Sequence, residues 1–170
     1  SEKWNQSISK LRPGHADYAG AVKYHQDDIR NILERASARE TSARVAMGAV
    51  CKKLLGQFEM QIGSHVVQIG EVRSAWGAKG ESVAGWREIF KRAEQSDLRC
   101  ADSKAAEKMR QSITAAAKAG DSVGGIFEVV ALGVPVGLGS YVHWDTRLDG
   151  QLAQSVMSVP AVKGVEIGLG

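Results

Sequence analysis

Two short polar segments of the sequence carry the side chains best suited to chemistry. The first is Arg-Pro-Gly-His-Ala-Asp-Tyr at residues 12–18, and the second is Arg-Ala-Ser-Ala-Arg-Glu-Thr at residues 35–41. Their arginines bring planar guanidinium groups that match phosphate and carboxylate oxygens. The histidine, His15, is the type of side chain best able to move a proton near neutral pH. The two segments therefore predict a site for an anionic ligand with a proton-transfer group. The arginines are Arg12, Arg35 and Arg39.

Local turn and helix signals are expected to position these groups. Pro13-Gly14 predicts a turn immediately before His15. Ser37 and Glu40 have the spacing of a capping box, so the second segment is predicted to start a helix whose N-terminal N–H groups favour anions. From the residues alone, two simpler interpretations stay open: a structural histidine at a turn, and a capped helix with solvated arginines.

The rest of the sequence predicts a mixture of helices and strands, which indicates an α+β domain. Asp102 is placed to cap the helix that follows it, and Gly120 is placed to end that helix. The long helix after the second polar segment is rich in alanine and glycine, so we expect it to be buried between layers. Residues 18–34 are mixed and are expected to be partly irregular. Helices are predicted at residues 38–55, 86–94, 103–119 and 148–157, and strands at residues 58–72, 126–132 and 162–167.

Composition argues against several other classes of protein. The 170 residues are 44% hydrophobic and 24% charged, which is ordinary for one soluble globular domain. A net charge of +3 without a basic run argues against a nucleic-acid partner, and the apolar runs are too short to cross a bilayer. Two cysteines without a CxxC pair, and histidines without partners at ligand spacing, predict no metal site and a reducing cytoplasm.

Four motifs resemble the chorismate synthase family. They are RPGHADY at residues 12–18, RASARET at 35–41, GDSVGG at 120–125 and VKGVEIG at 162–168. The resemblance extends over essentially the whole chain and implies a β-α-β sandwich, an α+β fold with long helices layered between antiparallel sheets. The family's opening segment with a second histidine and its closing flavin loop are absent. We therefore expect residues 1–170 to be a single core domain from a considerably longer chain, and to be inactive alone.

The resemblance also implies a role for individual residues. His15 corresponds to the family's acid–base histidine beside the flavin. Arg12 and Arg39 correspond to arginines that bind the phosphate or carboxylates of the substrate. Asp17 is expected to hold either the imidazole or an arginine in place. The implied flavin contacts are Arg35, Ala36, Ser37, Pro160 and Ala161.

Two of the implied flavin positions depart from the family's pattern. Ala36 stands where several relatives carry serine, so a backbone contact would survive there but a hydroxyl contact would not. Pro160 stands where relatives commonly have asparagine or glutamine. Because proline has no backbone N–H, this contact is restricted to the carbonyl or to packing.

The implied activity is that of a carbon–oxygen lyase in the shikimate pathway of aromatic amino acid biosynthesis. The family converts 5-enolpyruvylshikimate 3-phosphate to chorismate by anti-1,4-elimination of phosphate, with reduced FMN bound but not consumed. The resemblance further implies a cytoplasmic homotetramer, an association with NADP, and no nucleic-acid or membrane partner. Two alternatives stay open: a catalytically incomplete structural core of that enzyme, and a generic binding module for a phosphorylated metabolite.

Overall fold

The chain forms an α+β structure, as predicted. The computed structural model describes residues 6–36, 38–77 and 81–168. Within them, three strands form one antiparallel sheet and the helices lie before, between and after the strands. The elements are α1 (Asp17–Tyr24), α2 (Arg30–Leu33), α3 (Ala38–Gly56), β1 (Gln61–Ile69), β2 (Val72–Arg73), α4 (Val83–Glu94), α5 (Ser103–Ala119), β3 (Gly125–Leu132), a 3₁₀ turn (Trp144–Thr146) and α6 (Leu148–Met157).

The sheet has the order β2-β1-β3, with β1 at its centre. The β1–β3 register runs from Gln61 opposite Leu132 to Ile69 opposite Gly125, with an irregularity between Val66 and Gln68. The prediction of one strand over residues 58–72 is wrong, because the segment folds back on itself as a hairpin between β1 and β2. Gly70 has a φ of +55° at this turn, a conformation that glycine adopts without strain.

Helices α4 and α5 cover one part of the sheet and form the core with it. One cluster contains Ile89 and Phe90 of α4 with Leu132 of β3, and a second is centred on Met109 of α5. Gly63 of β1 permits the first contact, because a Cβ at this position would lie 2.4 Å from the Phe90 ring. The close approach of strand and helix therefore depends on the missing side chain.

The bounds of α5 and α6 are those predicted from the sequence. The Asp102 side chain accepts hydrogen bonds from the backbone N–H groups of Lys104 and Ala105, at 3.0 and 3.1 Å. Gly120 ends α5 in the left-handed conformation, with a φ of +69°. The capping residues at its two ends therefore explain why the bounds of α5 could be predicted.

The segment 18–34 is partly irregular, as expected, since residues 25–29 lie between α1 and α2 without regular structure. Two other expectations about the elements are wrong. Residues 162–167 have no regular secondary structure and pair with no strand in the described part of the chain. Helix α3 is largely exposed, and four of its apolar side chains are between 60% and 68% exposed because no described layer covers them. These side chains are Val45, Met47, Val50 and Leu54.

None of the helices in the described residues is both long and apolar enough to span a membrane.

Candidate functional site

The first polar segment forms a tight turn that leads into α1. The His15 N–H donates to the Arg12 carbonyl at 3.4 Å, which closes the turn around Pro13 and Gly14. Gly14 has a φ of +73°, so this position requires the conformational freedom of glycine. The predicted turn before His15 is confirmed. Arg12 and His15 lie in this turn, and Asp17 is the first residue of α1.

Asp17 is the anchor of this turn. Its side chain is fully buried and accepts three hydrogen bonds from one residue, Arg12. The Arg12 Nε and backbone N–H each donate to Oδ2 at 2.9 Å, and Nη2 donates to Oδ1 at 2.8 Å. Of the two partners that the sequence left open for Asp17, the structure therefore selects the arginine rather than the imidazole.

This pairing favours the charged forms of both groups. Hydrogen bonds from the Arg12 side chain, and then from its backbone N–H, lower the pKa of Asp17 to about 2. The hydrogen bond to Asp17 raises the pKa of Arg12 above its already high ordinary value. The pair is consequently ionised throughout the physiological pH range.

His15 lies on the exposed side of the turn with one ring nitrogen engaged. Its Nδ1 is 3.0 Å from the Pro13 carbonyl oxygen. Because a carbonyl oxygen only accepts hydrogen bonds, this contact assigns the proton of the neutral ring to Nδ1. No described residue hydrogen-bonds Nε2. Among the described residues, Nε2 is therefore the ring nitrogen without a hydrogen-bond partner.

The second polar segment connects α2 to α3. The Arg39 Nε forms an ion pair with Glu34 Oε2 at 2.8 Å, although most of the Arg39 side chain is exposed. The Arg35 side chain is exposed, and no described residue hydrogen-bonds its guanidinium group. Ala36 is also exposed. Ser37 lies outside the described residues, and so does the capping box predicted for it.

A contact that the sequence did not reveal joins α3 to the segment just before Pro160 and Ala161. Arg44 of α3 donates through Nη1 to the Ser158 hydroxyl at 2.8 Å and to the Ser158 carbonyl at 3.2 Å. Pro160 and Ala161 follow this contact directly and are both exposed. Residues 44 and 158 are 114 positions apart, so no local pattern could have indicated the contact.

Both groups of positions expected to contact flavin are linked to α3. Arg35 and Ala36 come just before its first residue, and Pro160 and Ala161 follow the Ser158 contact with Arg44. Ala161 has a φ of +70°, and its N–H donates to no described residue. A free N–H in an exposed, left-handed residue and the unengaged Arg35 guanidinium are both donors suited to a phosphate or ring oxygen. The donor set thus fits an anionic nucleotide such as FMN.

A second polar feature is a histidine–glutamate pair between β1 and β3. His65 of β1 is buried, and its Nε2 is 3.0 Å from Oε2 of Glu128, its neighbour on β3. The Trp86 ring stands edge-on to the imidazole. The sequence predicted either a structural or an exposed role for His65. Its burial and its contact with Glu128 across the strands identify the structural one. No group of three or more metal-ligating side chains occurs in residues 6–36, 38–77 and 81–168.

Comparison with known proteins decides the family. A sequence model whose description is chorismate synthase matches residues 1–170. The chain belongs to the chorismate synthase family. The resemblance seen in the four motifs is thereby confirmed, and it extends over the whole chain.

Individual relatives agree with this family assignment. The chain is 54% identical over 163 residues to the chorismate synthase of Brevibacillus brevis, an alignment that covers 96% of the chain and 41% of the relative. It is 55% identical over 165 residues to that of Caldicellulosiruptor saccharolyticus, covering 97% of the chain and 42% of the relative. The chain therefore spans less than half the length of the curated chorismate synthases that it matches.

A solved structure described as a crystal structure of chorismate synthase has the same fold. It superimposes with a TM-score of 0.82 at 50% sequence identity, covering 91% of this chain and 47% of the other. This agreement confirms the predicted chorismate synthase-like α+β fold for the part of the chain that is covered.

We predict that Asp17→Asn removes stability that depends on pH. The native pKa of about 2 lies below the ordinary value of 3.8, so the unfolded state binds more protons as pH falls. The contribution of Asp17 is therefore complete above about pH 5 and is lost towards pH 2. Urea unfolding between pH 8 and pH 3 should show a constant deficit for the variant above pH 5 that shrinks below pH 4.

Asp27→Asn is the matched control, because Asp27 is an exposed carboxylate in the same segment. It should leave the free energy of unfolding nearly unchanged at every pH. A deficit for Asp17→Asn that is absent at pH 7, or that stays constant down to pH 3, would show that the ion pair does not stabilise the turn.

Proposed function

We propose that the polypeptide containing this chain is a chorismate synthase. It converts 5-enolpyruvylshikimate 3-phosphate to chorismate and inorganic phosphate by anti-1,4-elimination. The observation that carries this proposal is the match to the family over residues 1–170, with relatives about half identical along nearly the whole chain. The chemistry of the two polar segments is consistent with that reaction.

The substrate is a polyanion, and the chain offers arginines to bind it. The substrate carries one phosphate and two carboxylates, and the phosphate leaves as its carbon–oxygen bond breaks. Arg12 and Arg39 are assigned to bind these anionic groups, and both side chains are partly exposed. Guanidinium groups that are already in place stabilise charge on a leaving phosphate better than mobile ones, because they need no reorganisation.

His15 is assigned the proton-transfer role. Its Nδ1 is engaged with the Pro13 carbonyl, which restrains the ring orientation, and no described residue hydrogen-bonds Nε2. A histidine held in one tautomer delivers or accepts its proton at one defined atom. In this assignment Nε2 exchanges the proton with the bound ligand.

Reduced FMN is the proposed cofactor, and when bound it supplies the electronic assistance that no amino acid side chain provides. Arg35, Ala36 and Ser37 are assigned to one side of its site, and Pro160 and Ala161 to the other. The Arg44–Ser158 contact supports this pairing, because it joins the two segments through α3. Pro160 contributes no N–H, so Ala161 is the backbone donor of its segment.

The remaining proposals concern the domain organisation, oligomeric state, location and partners of the enzyme. We propose that residues 1–170 are a single core domain within a longer chain and that the enzyme is a cytoplasmic homotetramer. We expect no nucleic-acid or membrane partner, and we assign no residue of the chain to NADP. The exposed apolar side chains of α3 favour a core that works only together with further protein. The chain by itself is therefore proposed to be inactive.

We expect the complete polypeptide, but not residues 1–170 alone, to form chorismate. Both are incubated anaerobically with reduced FMN and 5-enolpyruvylshikimate 3-phosphate, and chorismate and phosphate are measured together. Positioned groups are needed simultaneously for proton transfer and elimination, so an incomplete set should lose most of the rate. Absence of both products with the complete, folded polypeptide would reject the proposed function, and full activity of residues 1–170 would reject the proposed incompleteness.

His15→Ala is predicted to lower turnover by about 10²–10⁴-fold, the usual loss for a general acid or base. Substrate affinity should change much less, because the arginines remain in place. The measurement is kcat and KM of the complete polypeptide under anaerobic conditions. His143→Ala is the control, since His143 is also exposed and carries no assigned role. Equal turnover by the two variants would leave His15 as a structural turn residue.

A further inference from the structure

The ion pair between Arg12 and Asp17 leaves a defined part of the guanidinium group unused. A guanidinium group has five N–H donors. Asp17 takes one from Nε and one from Nη2, at 2.9 and 2.8 Å. The two donors on Nη1 and the second donor on Nη2 therefore remain. No described residue accepts from Nη1.

The unused donors lie together at the end of the group. One N–H of Nη1 and the free N–H of Nη2 point in parallel, which is the arrangement that binds two oxygens of a phosphate or carboxylate. The Arg12 side chain is 35% exposed, whereas Asp17 is completely buried. The carboxylate thus holds the Nε–Nη2 edge of the guanidinium group, while about a third of the Arg12 side chain is accessible.

If Asp17 only stabilised the turn, it would need fewer hydrogen bonds with Arg12 than the three that it accepts. The carboxylate already accepts the Arg12 backbone N–H at 2.9 Å, a contact that by itself ties the turn to α1. The guanidinium group adds two further contacts with the same carboxylate. Those contacts restrict the arginine side chain, which loses several rotatable bonds of freedom for them. Such a restriction benefits a ligand that would otherwise have to order the side chain itself.

We infer that Asp17 is a positioning residue that fixes Arg12 so that its Nη1–Nη2 edge faces the phosphate or a carboxylate of the substrate. This inference rests on the proposed function, because it takes the anion bound by Arg12 to be 5-enolpyruvylshikimate 3-phosphate. Asp17 contributes to binding only through Arg12. Lysine cannot replace Arg12, because an ammonium group that contacts Asp17 has no second planar edge.

A double-mutant cycle tests this dependence in the complete polypeptide. The dissociation constant of 5-enolpyruvylshikimate 3-phosphate is measured by calorimetry for the parent, Asp17→Asn, Arg12→Ala and the double variant. Each single change should weaken binding by about tenfold to 100-fold, since one charge-assisted contact is lost. The double variant should bind within about twofold of Arg12→Ala, because residues that act as one unit are not additive.

Asp28→Asn serves as the matched control. Asp28 also organises this segment, by accepting the backbone N–H groups of Ile8 and Arg30 at 3.0 Å each. It should change the melting temperature without changing the dissociation constant. Asp17→Asn effects that add to those of Arg12→Ala, or that appear only in the melting temperature, would overturn the inference.

Arg12→Lys keeps the inference testable if Asp17→Asn fails to fold. Lysine retains a positive charge opposite the buried carboxylate, so folding should survive, while binding should weaken as much as in Arg12→Ala within a few-fold. Parent-like binding by Arg12→Lys would contradict the inference.

Failure of the proposed function would be seen separately, as a folded parent that does not bind the substrate. In that case the NMR signal of the Arg12 Nε–H reports on positioning directly. It should be protected from solvent exchange in the parent and exchange rapidly in Asp17→Asn. Equal exchange in both proteins would overturn the role of Asp17 independently of any substrate.

Discussion

Burial of one carboxylate, that of Asp17, organises the turn that carries Arg12 and His15. A carboxylate removed from water is unfavourable unless charged and hydrogen-bonding partners replace the lost solvent. Asp17 obtains all of these partners from Arg12, which supplies its backbone N–H and two guanidinium donors. His15 lies between the two residues in the chain. The contact that satisfies the buried charge therefore also holds the turn that carries Arg12, proposed to bind an anion, and His15, proposed to transfer a proton.

A second group of residues, Pro160 and Ala161, is positioned by α3 rather than by the turn. Helices α4 and α5 and the sheet form the packed core, whereas α3 lies with much of its apolar surface exposed. Arg44 on α3 holds Ser158, and the chain then continues into Pro160 and Ala161. Segments distant in sequence are thus joined at one helix by a polar contact.

The features that were predictable from sequence depend on nearby residues. Asp102 and Gly120 gave the bounds of α5 because a cap and a left-handed stop act within one helical turn. The turn at Pro13-Gly14 was predictable for the same reason, and the resemblance supplied the fold and the family.

The features that were missed depend on partners far along the chain. The segment 162–167 has a strand-like composition but forms no strand, since a strand also needs a neighbour with which to pair. The exposure of α3 depends on which layers surround it, and the Arg44–Ser158 contact joins residues 114 positions apart. The sequence left two possible partners for Asp17, an imidazole or an arginine. Only the hydrogen bonds in the structure identify the partner as Arg12.

The central claim is that these 170 residues supply the anion and proton-transfer groups of a chorismate synthase. The most direct test replaces the matching 163-residue stretch of the Brevibacillus brevis relative, 54% identical, with this chain. The chimera is expressed in a bacterial strain that lacks chorismate synthase, and growth without aromatic amino acids is measured beside the intact relative. The account predicts that the chimera restores growth. A soluble chimera, present at the level of the intact relative, that fails to restore growth would contradict it.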